Sequence, residues 1–317
     1  MACGGTLRHA GIVSAGAAAP DGRVMDVPAP IVDLHMHSTA SDGKLAPAEV
    51  AALAAERGVA LIALTDHDTL RGVAEAQAAG RERGVAVIAG IEISGRFPDG
   101  QCHLLAWLPD PVPDEFVTWT QQKERDREER AREMVERLRG LGSAITWEDV
   151  RSRAAVNIGR PHVADALVAR GEAADRRDAF ERLIGHGGPG YVPSGKIEPA
   201  EAVALAVRAG ALVSLAHPYS LGLAGDDLDA FVAELAAAGL GAIEAHRGDQ
   251  DEAQQAAYRA LARRHGLLVS SGSDFHEHRR EIARERELGW FGSPGIAPDD
   301  VEALLSRLPG ARDALAR

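Results

Sequence analysis

Short apolar runs that end in histidine or carboxylate side chains recur along this chain and constrain its fold more than any other feature. The first run is Ile31-Val-Asp-Leu-His-Met-His-Ser38, and runs of the same form follow at residues 59–64, 85–89, 210–217, 240–246 and 266–276. Alanine-rich helical segments separate them, and the first helix is predicted to begin at Pro47 and end before Gly58. Apolar strands that alternate with helices predict an α/β protein with a parallel sheet covered by helices. Periodicity alone does not decide between a closed barrel and an open sheet.

The first run presents His35 and His37 two residues apart. Successive side chains of a strand point to opposite faces, so residues i and i+2 share a face and both imidazoles leave the strand on one side. Asp33 shares that face, and we expect it to accept a hydrogen bond from a histidine ring, as carboxylates do behind metal ligands. Asp42 arrives on the loop that follows.

Polar side chains of the same types stand at the ends of the other strands. Together with the first run and a predicted hairpin strand at Cys102–Leu108, they give nine candidate ligands: His35, His37, Asp42, His67, Glu92, His103, His217, Asp274 and His276. Strand ends of this kind meet at one edge of a parallel sheet or barrel, where such folds place their sites. Imidazole and carboxylate together suit zinc, manganese or iron, and nine ligands exceed the needs of one ion. The sequence therefore predicts two or three divalent ions.

Glu92 is the best candidate for a carboxylate that bridges two ions. We expect it to end its strand, with apolar neighbours on both sides. A carboxylate buried there needs a cation or a hydrogen-bond network. The structural alternative is a salt bridge to Arg96, four residues further on.

Residues 112–195 interrupt the alternation of strands and helices and are predicted to form a small helical insertion. Residues 115–139 form a long helix of mixed charge, for which a solvated face is favoured over a nucleic-acid patch. A Gly159-Arg160-Pro161-His162 segment follows. The insertion is expected to form a lid or wall over the strand ends.

Bulk properties exclude some classes of partner. A net charge of −12 argues against binding of long nucleic acid, although a small anionic substrate fits if metals and a few arginines supply positive charge. No run of 18 or more apolar residues suggests a membrane span. Cys3 and Cys102 have neither a metal nor a redox spacing, which fits a reducing cytoplasm. Residues 1–27 lack the pattern of a signal peptide and are predicted to be a flexible tail.

The strand-end motifs resemble those of the polymerase-and-histidinol-phosphatase (PHP) family. The matching segments are His35-x-His37 with Ser41-Asp42-Gly43, Thr65-Asp66-His67-Asp68, Gly90-Ile91-Glu92, Ala216-His217-Pro218 and Ser273-Asp274-Phe275-His276. The resemblance implies a distorted (β/α)7 barrel over residues 28–111 and 196–317, with residues 112–195 inserted as a helical domain. It also implies three metal positions, with ligands His35, His37, Glu92 and Asp274; Glu92, His103 and His217; and Asp42, His67 and His276.

The implied function is metal-dependent phosphoester hydrolysis, and the nearest resemblance is to bacterial phosphoesterases of nucleoside 3′,5′-bisphosphates and short oligoribonucleotides. A metal-activated hydroxide would attack phosphorus. Arg160 and His162 match a segment that reaches substrate phosphate, and His162 or His246 is a candidate to protonate the leaving oxygen. Two positions depart from the family pattern. His246 and Arg247 follow Glu244 where a more apolar strand end is expected, and Glu277 and His278 replace the small residues usual after the last motif. A histidinol-phosphate phosphatase and a non-catalytic metal-binding regulatory module remain as alternatives.

Overall fold

The computed structural model describes residues 30–98, 102–153, 157–193, 195–277, 288–289 and 296–316. The predicted tail at residues 1–27 lies outside the described residues, as does His278. Within the described part, no helix is both long enough and apolar enough to cross a membrane. The predicted cytoplasmic location stays a prediction.

Seven strands form one sheet in which each strand pairs with the next along the chain. They are β1 (Val32–Asp33), β2 (Leu61–Leu64), β3 (Ala86–Gly95), β4 (Cys102–Leu108), β5 (Leu212–Leu215), β6 (Ala242–His246) and β7 (Leu268–Ser271). All neighbours are parallel except β4, which runs antiparallel to β3 and to β5. Because β4 is reversed, its first residues lie at the same end of the sheet as the last residues of the parallel strands.

The segment after β1 pairs with the segment after β7 and nearly closes the sheet into a barrel. Met36 forms a bridge with Phe275, the Asp274 amide donates to the His35 carbonyl at 2.8 Å, and the His37 amide donates to the Phe275 carbonyl at 2.8 Å. The predicted α/β barrel is therefore confirmed. The first strand is shorter than the predicted run of residues 31–38, because beyond Asp33 Met36 forms only an isolated bridge with Phe275 and single hydrogen bonds with Thr65.

The helices lie between the strands in chain order. The first two are α1 (Pro47–Glu56) and α2 (Val73–Arg83); the insertion holds α3 (Asp114–Gly140), α4 (Trp147–Arg151), α5 (Arg160–Ala169) and α6 (Arg176–Ala179), which continues into a π-helical turn (Phe180–Ile184). The remaining helices are α7 (Pro199–Arg208), α8 (Gly225–Ala237), α9 (Glu252–Arg264), α10 (Pro298–Arg307) and α11 (Ala311–Leu315). The predicted start of α1 at Pro47 and its end before Gly58 are confirmed. The left-handed Gly84 ends α2 in the usual way.

Alternation along the strands separates two apolar faces. One cluster includes Leu61, Ile88 and Trp107 together with α10 and α11, and fills one end of the barrel. Another packs the opposite strand faces against α7, α8 and α9. The insertion has an apolar core of its own, drawn from residues 131–192. The domain bounds at residues 112 and 195 stay a prediction, which this separate core supports.

Candidate active site

Glu92 lies where the histidine rings converge. It points the same way as Ala86 and Ile88 of its strand, whose side chains belong to the interior cluster, because alternate residues share a face. Strand β3 continues to Gly95 rather than ending at Glu92, since its pairing with β4 extends that far. The two oxygens of the Glu92 carboxylate face five histidine rings. Oε2 lies 3.4, 3.1 and 3.1 Å from nitrogens of His35, His37 and His67. Oε1 lies 2.8 and 2.9 Å from nitrogens of His103 and His217.

The first predicted ligand set converges on one point. The Nε2 atoms of His35 and His37 lie 3.3 Å apart, and each lies 3.1–3.4 Å from Glu92 Oε2 and Asp274 Oδ1. Atoms at such separations on the corners of a tetrahedron lie about 2.0 Å from its centre, which is the length of a metal–nitrogen bond. The spacing therefore fits a metal ion.

The second and third ligand sets flank the first. His103 Nδ1 and His217 Nε2 lie 3.3 Å apart and within 2.9 Å of Glu92 Oε1. On the other side, Asp42 approaches His67 at 3.8 Å and His276 at 3.5 Å. The structure thus brings all nine predicted ligands together, and their role in binding metal stays a prediction that this geometry supports.

The electrostatics of the cluster also fit bound cations. Although burial opposes it, the surrounding histidine rings, His35 among them, hold the pKa of Glu92 well below its usual range, so the carboxylate is charged. Burial lowers the pKa of His67 to about 3, which keeps that ring neutral, as a metal ligand must be. Among the described residues, Glu92 Oε2 and His67 Nδ1 are buried without a hydrogen-bond partner. Such atoms are costly in a protein interior unless a cation completes them. Arg96 is not that cation, because its Nε pairs with Glu198 at 3.0 Å instead.

The carboxylate behind His35 is Glu244 and not Asp33. Glu244 Oε1 lies 2.8 Å from His35 Nδ1, while Oε2 accepts the His217 amide at 2.8 Å. Asp33 instead accepts backbone amides, from Ser273 at 3.0 Å and from Gly289 at 2.8 Å. Although burial opposes it, Glu244 raises the pKa of His35, to about 10, so this ring is protonated in the metal-free protein and must release a proton when an ion binds. The unexpected polar residue at this strand end is therefore part of the site; a lone carboxylate within an apolar strand was the available signal.

Asp66 holds the loop that carries Asp42. Its oxygens accept the Ser38 amide at 2.8 Å and the hydroxyls of Ser38 and Ser41 at 2.7 and 2.6 Å. Gly43 follows, and a side chain there would come within 2.5 Å of the His37 carbonyl. The Ser41-Asp42-Gly43 motif therefore has a structural cause: it fits a tight loop pinned beside the histidines.

A cavity of about 390 Å³ separates the cluster from the insertion. The insertion side is lined by a group of basic residues that we term the basic wall: Lys123, Arg127, Arg130, Arg160 and Lys196. Three of these residues recur at i, i+4 and i+7 on α3, so one face of this charged helix points into the cavity. The predicted solvated face accounts for only part of the helix. Because acidic residues stand between the basic residues of α3, their spacing of i, i+4 and i+7 is not evident in the sequence.

Within the basic wall, Arg130, Arg160 and Lys196 have no carboxylate at ion-pair distance among the residues that the structure describes, whereas Arg127 pairs with Asp68. Burial and Arg160 lower the pKa of Arg130 to about 10, and burial and Arg160 also lower the pKa of Lys196. Partly buried cations that crowd one another in this way favour an anion between them.

Two histidines considered for proton transfer do not line the cavity. His162 is buried, and its Nδ1 accepts the Gly159 amide at 3.0 Å at the start of α5. In this position His162 holds the segment that carries Arg160, and its role towards the substrate stays a prediction. His246 is also buried and lies 3.2 Å from Gln255 of α9, away from the cluster. Both positions depend on contacts formed in the folded protein, which a local sequence pattern does not reveal.

Comparison with known proteins points to one family. The model of the PHP domain matches residues 33–140. The chain is 35% identical to a 3′,5′-nucleoside bisphosphate phosphatase of Chromobacterium violaceum over 81% of this chain and 92% of that protein, and 34% identical to the 5′-3′ exoribonuclease Rnm of Escherichia coli over 78% and 85%. A crystal structure of a proposed metal-dependent phosphoesterase from Bifidobacterium adolescentis superimposes with a TM-score of 0.74 at 32% identity, covering 88% of this chain and 97% of that one. The ligand motifs, the barrel and these relatives agree: the chain belongs to the PHP family of metal-dependent phosphoesterases.

Proposed function

We propose that this protein hydrolyses a phosphate monoester of a small nucleotide and removes the 3′-phosphate of nucleoside 3′,5′-bisphosphates. The observation that carries the proposal is one cavity with a histidine–carboxylate cluster on one side and the basic wall on the other. A substrate with two phosphate groups can place one on each side. The names of the Chromobacterium and Escherichia relatives support a nucleotide substrate.

The chemistry rests on two or three divalent ions of manganese, iron or zinc. We assign them to the three ligand sets described above, with Glu92 shared between the first two. When bound, such ions lower the pKa of a water molecule and brace the entering and leaving oxygens of an in-line displacement. The carboxylates and imidazoles of this chain supply the donors, and Asp66 and Glu244 hold two of those donors in position.

The basic wall is proposed to bind the second phosphate. Arg160 presents a planar guanidinium that can bind two phosphate oxygens at once. Its Cζ atom lies 5.3 Å from the ring centroid of Phe180, and this contact holds the side chain over the cavity. An anion there would relieve the mutual repulsion of Arg130, Arg160 and Lys196. Short oligoribonucleotides that carry a 5′-phosphate meet the same requirement, and the exoribonuclease relative favours them as a second substrate class.

The test compares kcat/KM on adenosine 3′,5′-bisphosphate, a 5′-phosphorylated short RNA, histidinol phosphate and an aryl phosphate. We expect the bisphosphate to exceed both monophosphates. Removing one charged hydrogen-bond partner costs about 1.5–3 kcal/mol, so Arg160→Ala should lose about 10–100-fold on the bisphosphate and much less on the aryl phosphate.

Arg170→Ala is the matched control. Arg170 lies directly after the same helix but pairs with Asp149 outside the cavity, at 2.6 Å. It should leave all four rates unchanged. Equal losses of Arg160→Ala on the bisphosphate and the aryl phosphate would refute the second-phosphate assignment, and a preference for histidinol phosphate would refute the nucleotide proposal.

A further inference from the structure

Arg247 is a fully buried arginine that lies behind the candidate metal ligands and does not line the cavity. It follows β6 directly. A guanidinium is always protonated in proteins, and a buried charge needs partners. Its partners are the carboxylates of Asp274, Asp249 and Glu244. Two of these three take part in the cluster, which connects this buried cation to the metal positions.

The two oxygens of Asp274 face different groups. Oδ1 lies 3.3 and 3.2 Å from the Nε2 atoms of His35 and His37, while Oδ2 lies 3.1 Å from Arg247 Nη2. A carboxylate can bind a metal through one oxygen or through both. Arg247 therefore engages the oxygen that would otherwise be available as a further ligand.

The position of Arg247 is itself fixed from two sides. Asp249 grips it bidentately, with Oδ1 2.9 Å from Nε and Oδ2 2.8 Å from Nη2. Glu244, which holds the ring of His35, lies 3.6 Å from Nη1. The Cζ atom of Arg247 also lies 5.6 Å from the ring centroid of Tyr219 at the cavity wall. A side chain anchored in this way can set the orientation of the carboxylate beside it.

We propose that Arg247 is a positioning residue that restricts Asp274 to one-oxygen coordination of the first metal ion. This rests on the proposed metal centre. Loss of a side chain that orients a metal ligand typically weakens metal binding by about 10–100-fold. A purely structural ion pair would change folding stability but not the coordination of an ion in protein that remains folded.

The test measures Co²⁺ binding by metal-free protein at neutral pH, through the dissociation constant and the visible absorption per bound ion. We expect Arg247→Met to weaken the first site by about 10–100-fold. We also expect the visible absorption per bound Co²⁺ ion to fall in Arg247→Met, because Asp274 contributes a second oxygen and the coordination number rises. Arg247→Lys, which keeps a donor near Asp274, should lie closer to the wild type than Arg247→Met does.

Arg264→Met removes an exposed arginine paired with Asp229 and should match the wild type. Unchanged affinity and spectrum in Arg247→Met would overturn the inference while leaving the proposed function intact. If Arg247→Met does not fold, Asp249→Asn tests the inference instead, because it releases one side of the guanidinium. It should weaken Co²⁺ binding and lower the absorption per bound ion, as expected for Arg247→Met. Failure of the wild-type protein to bind Co²⁺ would instead overturn the metal centre and this inference together.

Discussion

Glu92 is the single residue on which the cluster depends most. Its oxygens face five rings, and among the described residues no lysine or arginine pairs with it. Glu92→Gln preserves the shape but removes the charge shared between two ion positions. We expect a loss of turnover larger than the ~10–100-fold caused by losing an outer-shell partner, with at least one metal ion lost per chain. The rate on adenosine 3′,5′-bisphosphate measures the loss of turnover, and elemental analysis measures the loss of metal.

Glu198→Gln provides the control for this substitution. Glu198 is exposed and pairs with Arg96, so it should keep both metal content and rate. Retention of metal and of most activity by Glu92→Gln would show that the bridging assignment is incorrect.

His246 predicts a dependence of stability on pH. Burial, together with Arg259, lowers the pKa of His246 to about 4 from an ordinary value of 6.5. Because the folded state favours the neutral ring, its contribution to stability is complete above pH 6.5 and is lost as the pH falls towards 4. His246→Gln should therefore flatten the decline of unfolding free energy over this range. Urea titrations of both metal-free proteins at several pH values test this; parallel curves would contradict it.

At the scale of elements, the packing of β7 against the segment after β1 sets the position of His35. Gly272 follows β7, and a side chain there would lie 2.2 Å from His35 Cβ and 2.7 Å from Glu244 Oε1. Gly272→Ala should therefore displace His35, weaken metal binding and cost about 1–3 kcal/mol of stability, as overpacking does.

Gly140 at the end of α3 is the matched control, because an added methyl group meets nothing within 4 Å. Gly140→Ala should be neutral or slightly stabilising. Thermal denaturation and metal titration check both variants, and equal behaviour of the two would contradict the proposed steric contact.

Elements with local signals could be predicted from sequence, and elements fixed by distant contacts could not. The hairpin strand at Cys102–Leu108 and the helix end at Gly84 agree with their local patterns. The lengths of β1 and β3 do not, since they depend on which strand lies alongside. The role of Glu244 was missed for the same reason, because its partner His35 is 209 residues away in sequence.

At the scale of the whole molecule, the sequence predicted which residues meet and that the insertion lies over them, but not how the barrel closes or which charges face the cluster. Closure depends on the pairing of Met36 with Phe275, which no periodicity reveals. The basic wall depends on where the insertion lies, and its charges on α3 are typical of a solvated helix when read alone. Only the resemblance to the PHP family, through Arg160, placed a basic residue near the substrate.

The metal content of the whole protein tests the central claim most directly. A ligand that binds only the folded state stabilises it in proportion to the logarithm of its concentration, so chelation should also lower the melting temperature. We predict that elemental analysis of protein expressed with ample manganese, iron and zinc will find two or three ions per chain. Fewer than one ion per chain would contradict the metal centre and the function proposed from it.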